Sequence, residues 1–335
     1  MSDPGPRRVV DRLQTRVDHL NRLQDEESGF VVDDANTTFQ TLYDEGRQPA
    51  SILVRSSFVA RKKFLLIEGD RDKTPRPKPP AADIVRSRGL ALRLELALLF
   101  VQQCSRKPGA RLRPVVAQGD ELGLINLFAT GTRRKGATSF RKQRSEMRAT
   151  QVRNALDILN RRGLVELGPA LDHSSSYERM WLRSEGGPAP GKDPSRYKEL
   201  TTAEPTVSLP IAFFTKGWIQ VLSDSEIWNW LAFRHQGRMT AADSPPGKDL
   251  ALPAVQRLGW YDLTRDAWDT HIMLDRLGLM TVNPGEVTTG LTAAGNQRFE
   301  REPHQFDLDD SVLSKPGHPA VLAAVAAALD EAHEK

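Results

Sequence analysis

The chain has 335 residues, of which 39% are hydrophobic and 27% are charged. This length suggests about two domains, and the composition is that of an ordinary globular protein, which excludes a disordered or low-complexity chain. The 47 Lys and Arg residues exceed the 43 Asp and Glu residues, for a net charge of +4. The single cysteine, Cys104, excludes an intramolecular disulfide and a cysteine-rich zinc site, and its apolar neighbours predict a buried thiol.

The N-terminal sequence lacks the apolar stretch of a secretory signal. The longest strongly apolar run, Ala320 to Leu329, is about half of the roughly 20 residues that a membrane span requires. We therefore expect a cytoplasmic protein, without a membrane partner.

The predicted elements begin with an amphipathic helix over residues 9–28, whose apolar residues recur every three or four positions. This helix either docks on its own domain or forms an arm of a dimer. Residues 51–69 mix β-branched and aromatic side chains and predict one or two strands. Residues 74–80 are rich in proline and predict a non-helical spacer.

From residue 85 onward the pattern is that of three helices followed by a hairpin. Leucine-rich residues 88–104 predict a buried helix, and residues 119–128 predict a second, short helix. A strongly periodic helix over 145–162 ends at Gly163 and leads into a strand. Residues 173–183 supply the return strand.

The same order recurs after a linker-like segment at 187–206. The next helix opens with Ser223 and Glu226 in the spacing of a capping box. A short helix follows, and residues 264–282 predict a third helix that stops at Gly278 and continues into a strand. An alanine-rich helix forms the tail.

Two stretches of the chain align when Gly163 is set against Gly278. Leu159 and Leu274 then lie four positions before the two glycines, and a leucine follows each glycine. Three helices, a glycine, a strand, a wing and a second strand make up the order of a winged helix.

The segment around the first glycine resembles the recognition helix and first wing strand of bacterial winged-helix transcriptional regulators. The residues that carry the resemblance are Thr150, Val152, Leu156, Leu159, Gly163, Leu164 and Val165. The tandem arrangement also resembles that of plasmid replication initiators, which are built from two winged-helix domains. The resemblance implies a mainly α-helical fold with small β wings, in which two winged-helix domains are flanked by an N-terminal and a C-terminal helix.

The predicted divisions are residues 1–84 (helix, strands and spacer), 85–186 (first winged helix), 187–206 (linker), 207–302 (second winged helix) and 303–335 (helical tail). In the first unit, helical spacing places Val152, Ala155, Leu156 and Leu159 on the core side and Thr150, Arg153, Asn154 and Asp157 on the outer side. The resemblance implies that this outer side enters the major groove of DNA. There, Arg153 has the chemistry to read guanine, and Asn154 has the chemistry to read adenine.

The charges are concentrated in the same region, since residues 130–162 hold ten basic and two acidic side chains. Such a cluster favours phosphate binding through counterion release, although a solvated basic loop is the alternative. The predicted phosphate contacts are Arg133, Arg134, Lys135, Arg141, Lys142, Arg144 and Arg148. Ser174 and Ser175 at the wing tip either bind phosphates or form an ordinary polar turn.

The second unit differs in charge, with eight basic and ten acidic residues between 207 and 300. Trp268 and Asp269 occupy the positions of Arg153 and Asn154, which favours a protein interface over a groove. Arg257 and Arg265 leave an accessory contact to DNA phosphates as the alternative for this unit. Trp228 and Trp230 are two residues apart on one helix, so we expect at least one to be half exposed, with Trp228 as a candidate partner contact. We expect a homodimer, formed by this unit or by a terminal helix.

No motif in the chain indicates catalysis, a cofactor or a metal. The seven histidines are scattered, and His271 aligns with a core leucine, so we expect a hydrogen-bonded core histidine. Asp262, Asp266 and Asp269 lie near a helix start, where acidic residues accumulate for electrostatic reasons without forming a nuclease site.

The sequence thus predicts a double-stranded DNA-binding protein of the nucleoid, most simply a transcriptional regulator. A replication initiator of a plasmid or mobile element is one alternative. A scaffold that uses winged helices for protein contacts is another.

Overall fold

The computed structural model describes residues 6–24, 31–66, 76–87, 89–117, 122–129, 140–169, 176–187, 193–200, 204–240, 247–285, 287–291, 297–301 and 304–334. Over these residues the chain is mostly helical and carries small antiparallel sheets, which confirms the predicted mainly α-helical class. No helix in these ranges has the length and apolar character needed to cross a membrane.

The helices are α1 (Pro6–Leu23), α2 (Val32–Asp44), α3 (Ser56–Val59), α4 (Pro80–Val85), α5 (Ala91–Ser105), α6 (Phe140–Arg161), α7 (Ile211–Thr215), α8 (Trp218–Val221), α9 (Asp224–Met239), α10 (Ala254–Tyr261), α11 (Arg265–Trp268), α12 (His271–Arg276) and α13 (Gly317–His333). The strands are β1 (Ser51–Arg55), β2 (Val165–Leu167), β3 (Met180–Leu182), β4 (Thr206–Pro210), β5 (Leu250–Ala251), β6 (Met280–Asn283), β7 (Val287–Leu291), β8 (Gln297–Arg301) and β9 (Gln305–Leu308).

Helix α5 lies inside the fold because it is apolar on all sides. All of its residues except Arg93 and Ser105 are buried, as the leucine-rich sequence predicts. Helices α2, α4 and α6 and strand β1 pack around it. The ring of Phe100 lies 5.0 Å from that of Phe39 on α2 and 4.8 Å from that of Phe214 on α7, so α5 joins elements from both halves of the chain.

The first repeated unit runs from α5 through α6 to the β2–β3 hairpin. Helix α6 ends at Gly163, whose φ of +70° is readily adopted only by glycine. The N–H of Leu164 donates to the carbonyl of Leu159 at 2.9 Å, which closes a Schellman cap. Strand β3 pairs with β2 on one edge, and on its other edge Trp181 forms an antiparallel β-bridge with Arg111. Three chain segments therefore lie side by side in this small sheet.

The second unit repeats this arrangement from α9 to β9. Gly278 has a φ of +72°, and the N–H of Leu279 donates to the carbonyl of Leu274 at 3.0 Å, as in the first unit. Strands β5, β9 and β6 form a sheet in that order. The β7–β8 ribbon lies between β6 and β9 in the chain, so the return strand β9 pairs with β6 across this insertion.

The third helix of the second unit is divided into α11 and α12. The sequence predicts instead a single helix that begins at residue 264 and stops at Gly278. The carbonyl oxygen of Trp268 accepts a hydrogen bond from Asn229 Nδ2 at 2.9 Å and lies 2.7 Å from His271 Nδ1. The hydroxyl of Thr270 donates to the carbonyl of Ala267 at 2.6 Å. These side chains compete with the helical backbone bonds, so α11 ends at Trp268 and α12 begins at His271.

One other prediction needs correction. Within the helix predicted over 119–128, the described residues 124–127 form only a single 3-10 turn. The described residues of segment 51–69 contain one strand, β1, which is within the prediction of one or two strands, and the short helix α3 follows it.

Long-range contacts tie the N-terminal segment to the second half of the chain. Strand β1 pairs with β4, with Leu53 opposite Ser208. Helix α1 packs along α13, where His318 Nε2 lies 2.8 Å from the carbonyl of Leu20. The predicted N-terminal helix is therefore docked on its own fold. The boundaries that divide the chain at 84, 186, 206 and 302 stay predictions.

Candidate nucleic-acid interface

Helix α6 is anchored by the apolar stripe that the sequence predicts. Val152, Ala155, Leu156 and Leu159 are at most 2% exposed, and the helix packs on α5 through them. This confirms which side of α6 faces the core. Because the stripe fixes the rotation of the helix, it also fixes which residues face solvent.

The opposite side of α6 presents Thr150, Arg153 and Asn154, all of which are exposed. The Thr150 hydroxyl donates to the carbonyl of Glu146 at 2.8 Å, while the side chains of Arg153 and Asn154 extend from the next turn. Arg161 lies exposed two turns further along. The structure therefore brings the three proposed base-reading residues together on one accessible strip.

The hairpin that follows α6 is attached to this strip by Tyr177, a residue that the sequence analysis did not single out. Its hydroxyl lies 2.9 and 3.0 Å from the two carboxylate oxygens of Asp157. The guanidinium of Arg153 lies 5.9 Å from the centre of the Tyr177 ring. Burial, followed by the bond to Asp157, raises the pKa of Tyr177 above its usual value, so the hydroxyl keeps its proton and donates it.

Arg148 is the one predicted phosphate contact whose side chain is among those that the structure describes. It lies one turn before Val152, on the side of α6 that turns inward, and is only partly exposed. Burial lowers the pKa of its guanidinium, while Asp34 on α2 acts in the opposite direction. Arg148 is therefore less accessible than Thr150, Arg153 and Asn154, and its role as a phosphate contact stays a prediction.

The remaining first-unit predictions lie partly beyond what the structure describes. Arg141, Lys142 and Arg144 are in the first turns of α6. The residues that fall outside the described ranges are Arg133, Arg134, Lys135, Ser174 and Ser175. Arg162, at the other end of the helix, forms an ion pair of 2.7 Å with Asp83.

The second unit presents a different surface on α11 and α12. Arg265, Asp266 and Asp269 are exposed there, and Arg265 lies 3.8 Å from Asp269 in a loose ion pair. Ile272 is 55% exposed on the same surface. The strip that corresponds to the outer side of α6 is therefore acidic and partly apolar rather than basic.

The tryptophans of the second unit are mostly internal. Trp228 is 2% exposed and Trp230 is fully buried, so the prediction that one of them is half exposed is wrong, and Trp228 is no surface contact in this fold. Trp268 is partly buried, with its ring 5.4 Å from those of Phe233 and Phe306. Of the three predicted partner residues, only Asp269 is exposed.

The acidic and histidine residues considered for metal binding have structural partners. Asp262 is 9% exposed and accepts hydrogen bonds from Arg61 at 2.7 Å and Arg86 at 2.6 Å. His271 is partly buried and bonded to the Trp268 carbonyl, as expected for a hydrogen-bonded core histidine. Among the described residues, no three His, Cys, Asp or Glu side chains are grouped as metal ligands.

Comparisons with known proteins find no match to this chain among family models, curated proteins or solved structures.

Proposed function

We propose that this protein binds double-stranded DNA and reads its sequence with α6 in the major groove. The observation that carries the proposal is the accessible strip of Thr150, Arg153 and Asn154 on a helix whose opposite side is held in the core. A helix fixed in this way presents its polar side chains to a groove at a defined rotation.

We also propose that both units are winged helices. Each has a helix, a short extended segment, a helical turn or helix, a further helix region, a glycine cap, a strand and a return strand. In each, the extended segment lies beside the return strand, as Arg111 beside Trp181 and β5 beside β9. The repeated sheet order supports a common fold for the two units, and the β2–β3 and β6–β9 hairpins with their connections correspond to the wings.

In this proposal the side chains of α6 have separate roles. Arg153 donates two hydrogen bonds to the major-groove edge of guanine, and Asn154 pairs with adenine. Thr150 makes an additional base contact. Phosphates are bound by Arg141, Lys142 and Arg144 at the start of α6, together with the basic residues 133–135 that precede the helix.

The second unit is proposed to bind a protein, most simply a second copy of the chain. Its exposed α11–α12 surface carries Asp266 and Asp269, which phosphates would repel, and the apolar Ile272. Dimerisation through this unit would place two α6 helices on a two-fold DNA site, as in a transcriptional regulator of the nucleoid.

A replication initiator is the second candidate, favoured by one observation. The two units are in contact within one chain, since the ring of Phe100 on α5 lies 4.8 Å from that of Phe214 on α7 and Arg93 on α5 forms an ion pair of 3.0 Å with Asp224 on α9. An initiator would use both units on one DNA molecule, without a second copy. The partner-binding scaffold of the sequence analysis remains the alternative for a chain that does not bind DNA.

The first experiment measures binding of the full chain to duplex DNA over a series of salt concentrations. If about five phosphates are neutralised, log affinity falls with log salt with a slope near −4.5. Arg153→Ala should reduce the preference for the specific DNA site over other duplex sequences by about 1–3 kcal/mol. It should change the salt slope by at most about 0.9, the contribution of one phosphate. The control, Arg12→Ala, removes an exposed arginine from α1 and should change neither quantity.

A variant with Arg133, Arg134 and Lys135 changed to alanine should instead flatten the slope by about 2.7. Binding of inverted repeats by a dimer supports the regulator, and binding of direct repeats by a monomer supports the initiator. Binding that is absent or insensitive to salt would contradict the DNA proposal and favour the scaffold.

A further inference from the structure

A cavity of about 430 Å³ lies where helices α2 and α5 end, on the basic segment between α5 and the first sheet. Leu42, Glu45 and Arg47 line one wall, and Arg106 and Lys107 line the other. A volume of this size is within the range of small-molecule sites and exceeds that of a phosphate ion.

The backbone around the cavity is held in place by short contacts. The N–H of Arg47 donates to the carbonyl of Cys104 at 2.7 Å. A Cβ atom on Gly46 would lie 2.3 Å from the same carbonyl oxygen, so only glycine permits this close approach of the two helix ends. The cavity is therefore formed by the fold itself, before any ligand binds.

The side chain of Arg47 links the two sides of the cavity by hydrogen bonds. Its Nη2 donates to the carbonyls of Gln102 at 3.1 Å and Arg106 at 3.0 Å, and its Nη1 lies 2.9 Å from the Glu199 carboxylate. These bonds satisfy carbonyl groups at the negative end of α5. The electrostatics of the cavity consequently depend on its other cations.

Three further cations, Arg106, Lys107 and Arg113, line the cavity, against Glu45 as its one acidic lining residue. The Nε–H of Arg106 is buried and has no hydrogen-bond acceptor among the residues that the structure describes. A buried donor without an acceptor is costly, and an anion at this place would provide the acceptor.

The remaining wall is apolar. Leu42 is 2% exposed and Cys104 is fully buried, and burial raises the pKa of the Cys104 thiol to about 12, so the thiol is neutral. A ligand that fits must combine an anionic group with a less polar body.

We propose that this cavity binds a phosphorylated small molecule of about the size of a mononucleotide. Arg106 and Lys107 hold the phosphate, and the body of the molecule fills the remaining volume of the cavity. The site adjoins the first sheet, because Leu112, next to Arg113, donates its N–H to the carbonyl of Met180 on β3 at 2.7 Å. The cavity therefore lies beside the hairpin that follows α6. The inference does not depend on DNA binding.

The test uses isothermal titration of the full chain with AMP, inorganic phosphate and adenosine. AMP is expected to bind, inorganic phosphate to bind more weakly, and adenosine not to bind at millimolar concentration. Arg106→Gln and Lys107→Gln should each weaken AMP binding at least tenfold. Arg12→Gln, an exposed arginine on α1, is the control and should leave AMP binding unchanged. The melting temperature without ligand shows whether each variant is folded.

The phosphate source is distinguished by adding a short duplex as competitor. If AMP and inorganic phosphate fail to bind while Lys107→Gln weakens duplex binding, the cavity cations contact DNA phosphates and the small-molecule proposal is overturned. The proposal is also overturned if AMP binds equally to wild type and to both folded cavity variants. If the wild-type chain binds no DNA but binds AMP, and both cavity variants weaken that binding, the small-molecule proposal stands and the DNA proposal fails.

Discussion

The carboxyl group of Glu95 is the most isolated polar group in the described core. It is fully buried on α5, and neither oxygen has a hydrogen-bond partner among the described residues. Burial raises its pKa well above the usual 4.5, and the nearby carboxylate of Glu185 raises it further. Glu95 is therefore protonated over a range of pH in which an exposed glutamate is charged.

This raised pKa makes the stability of the protein dependent on pH. The folded state retains the Glu95 proton above pH 4.5, whereas the unfolded chain releases it. The contribution of Glu95 to stability is therefore complete below about pH 4.5 and is lost as pH rises through the folded pKa, by at most about 1.4 kcal/mol per pH unit.

Glu95→Gln should be about as stable as wild type near pH 4. It should become progressively more stable than wild type toward pH 8, because the glutamine side chain does not ionise in this range. Urea denaturation at several pH values measures this difference. Glu146→Gln, an exposed glutamate on α6, is the matched control and should give a difference that hardly changes with pH. A constant difference for Glu95→Gln would contradict the raised pKa.

At the scale of elements, the attachment of the first hairpin to α6 depends on Tyr177. Tyr177→Phe removes the bond to Asp157 while keeping the ring that Arg153 approaches. The expected result is a loss of about 1 kcal/mol of unfolding free energy, as for a typical hydrogen bond, with faster hydrogen exchange in β2 and β3.

The matched control for this prediction is Tyr43→Phe, because Tyr43 packs partly on the core. Hydrogen exchange followed by mass spectrometry compares the two variants. Unchanged exchange in β2 and β3 of Tyr177→Phe would show that the hairpin is held by its backbone pairing alone.

Elements set by local signals are the ones that the sequence predicts well. The capping box is present, since Ser223 Oγ accepts from the Glu226 N–H at 3.3 Å and Glu226 Oε2 accepts from the Ser223 N–H at 2.8 Å. The helix ends at Gly163 and Gly278 are also set by a local signal, because glycine has no Cβ and adopts a positive φ readily. The outer strip of the candidate site follows from the periodicity of α6 alone.

Features that depend on distant residues were not predictable in the same way. Trp228 and Trp230 are on different sides of α9, yet both are buried because other parts of the chain cover both sides, including Phe213, whose ring stacks 5.1 Å from that of Trp230. The role of Tyr177 depends on a contact with Asp157, 20 residues earlier. No periodicity in one segment indicates which segment covers it.

At the scale of the whole molecule, Arg16 on α1 holds the N-terminal helix to α9. Its Nη1 and Nη2 donate to the two carboxylate oxygens of Glu226 at 2.6 and 2.7 Å, and Glu226 is only 1% exposed. The same carboxylate completes the capping box of α9. One bidentate ion pair thus joins residues 210 positions apart.

Arg16→Met should lower the unfolding free energy by about 2 kcal/mol, because it leaves the buried carboxylate of Glu226 without its counter-charge. This is less than for a fully buried pair, since Arg16 is 21% exposed. Urea denaturation measures the loss, and Arg12→Met on the same helix should cost much less. A double variant with Glu226→Gln should recover part of the loss; no recovery would show that Arg16 stabilises by packing rather than by charge.

The pairing of β1 with β4 has a consequence for how the chain is made. The two strands are about 150 residues apart, and synthesis at about 5–20 residues per second separates their emergence by roughly 8 to 30 s. During that interval β1 has left the ribosome without its partner, and the strand edge that β4 later occupies is unpaired. The first half of the molecule can therefore assemble its own helices early, but it acquires its final edge only after most of the chain has been translated.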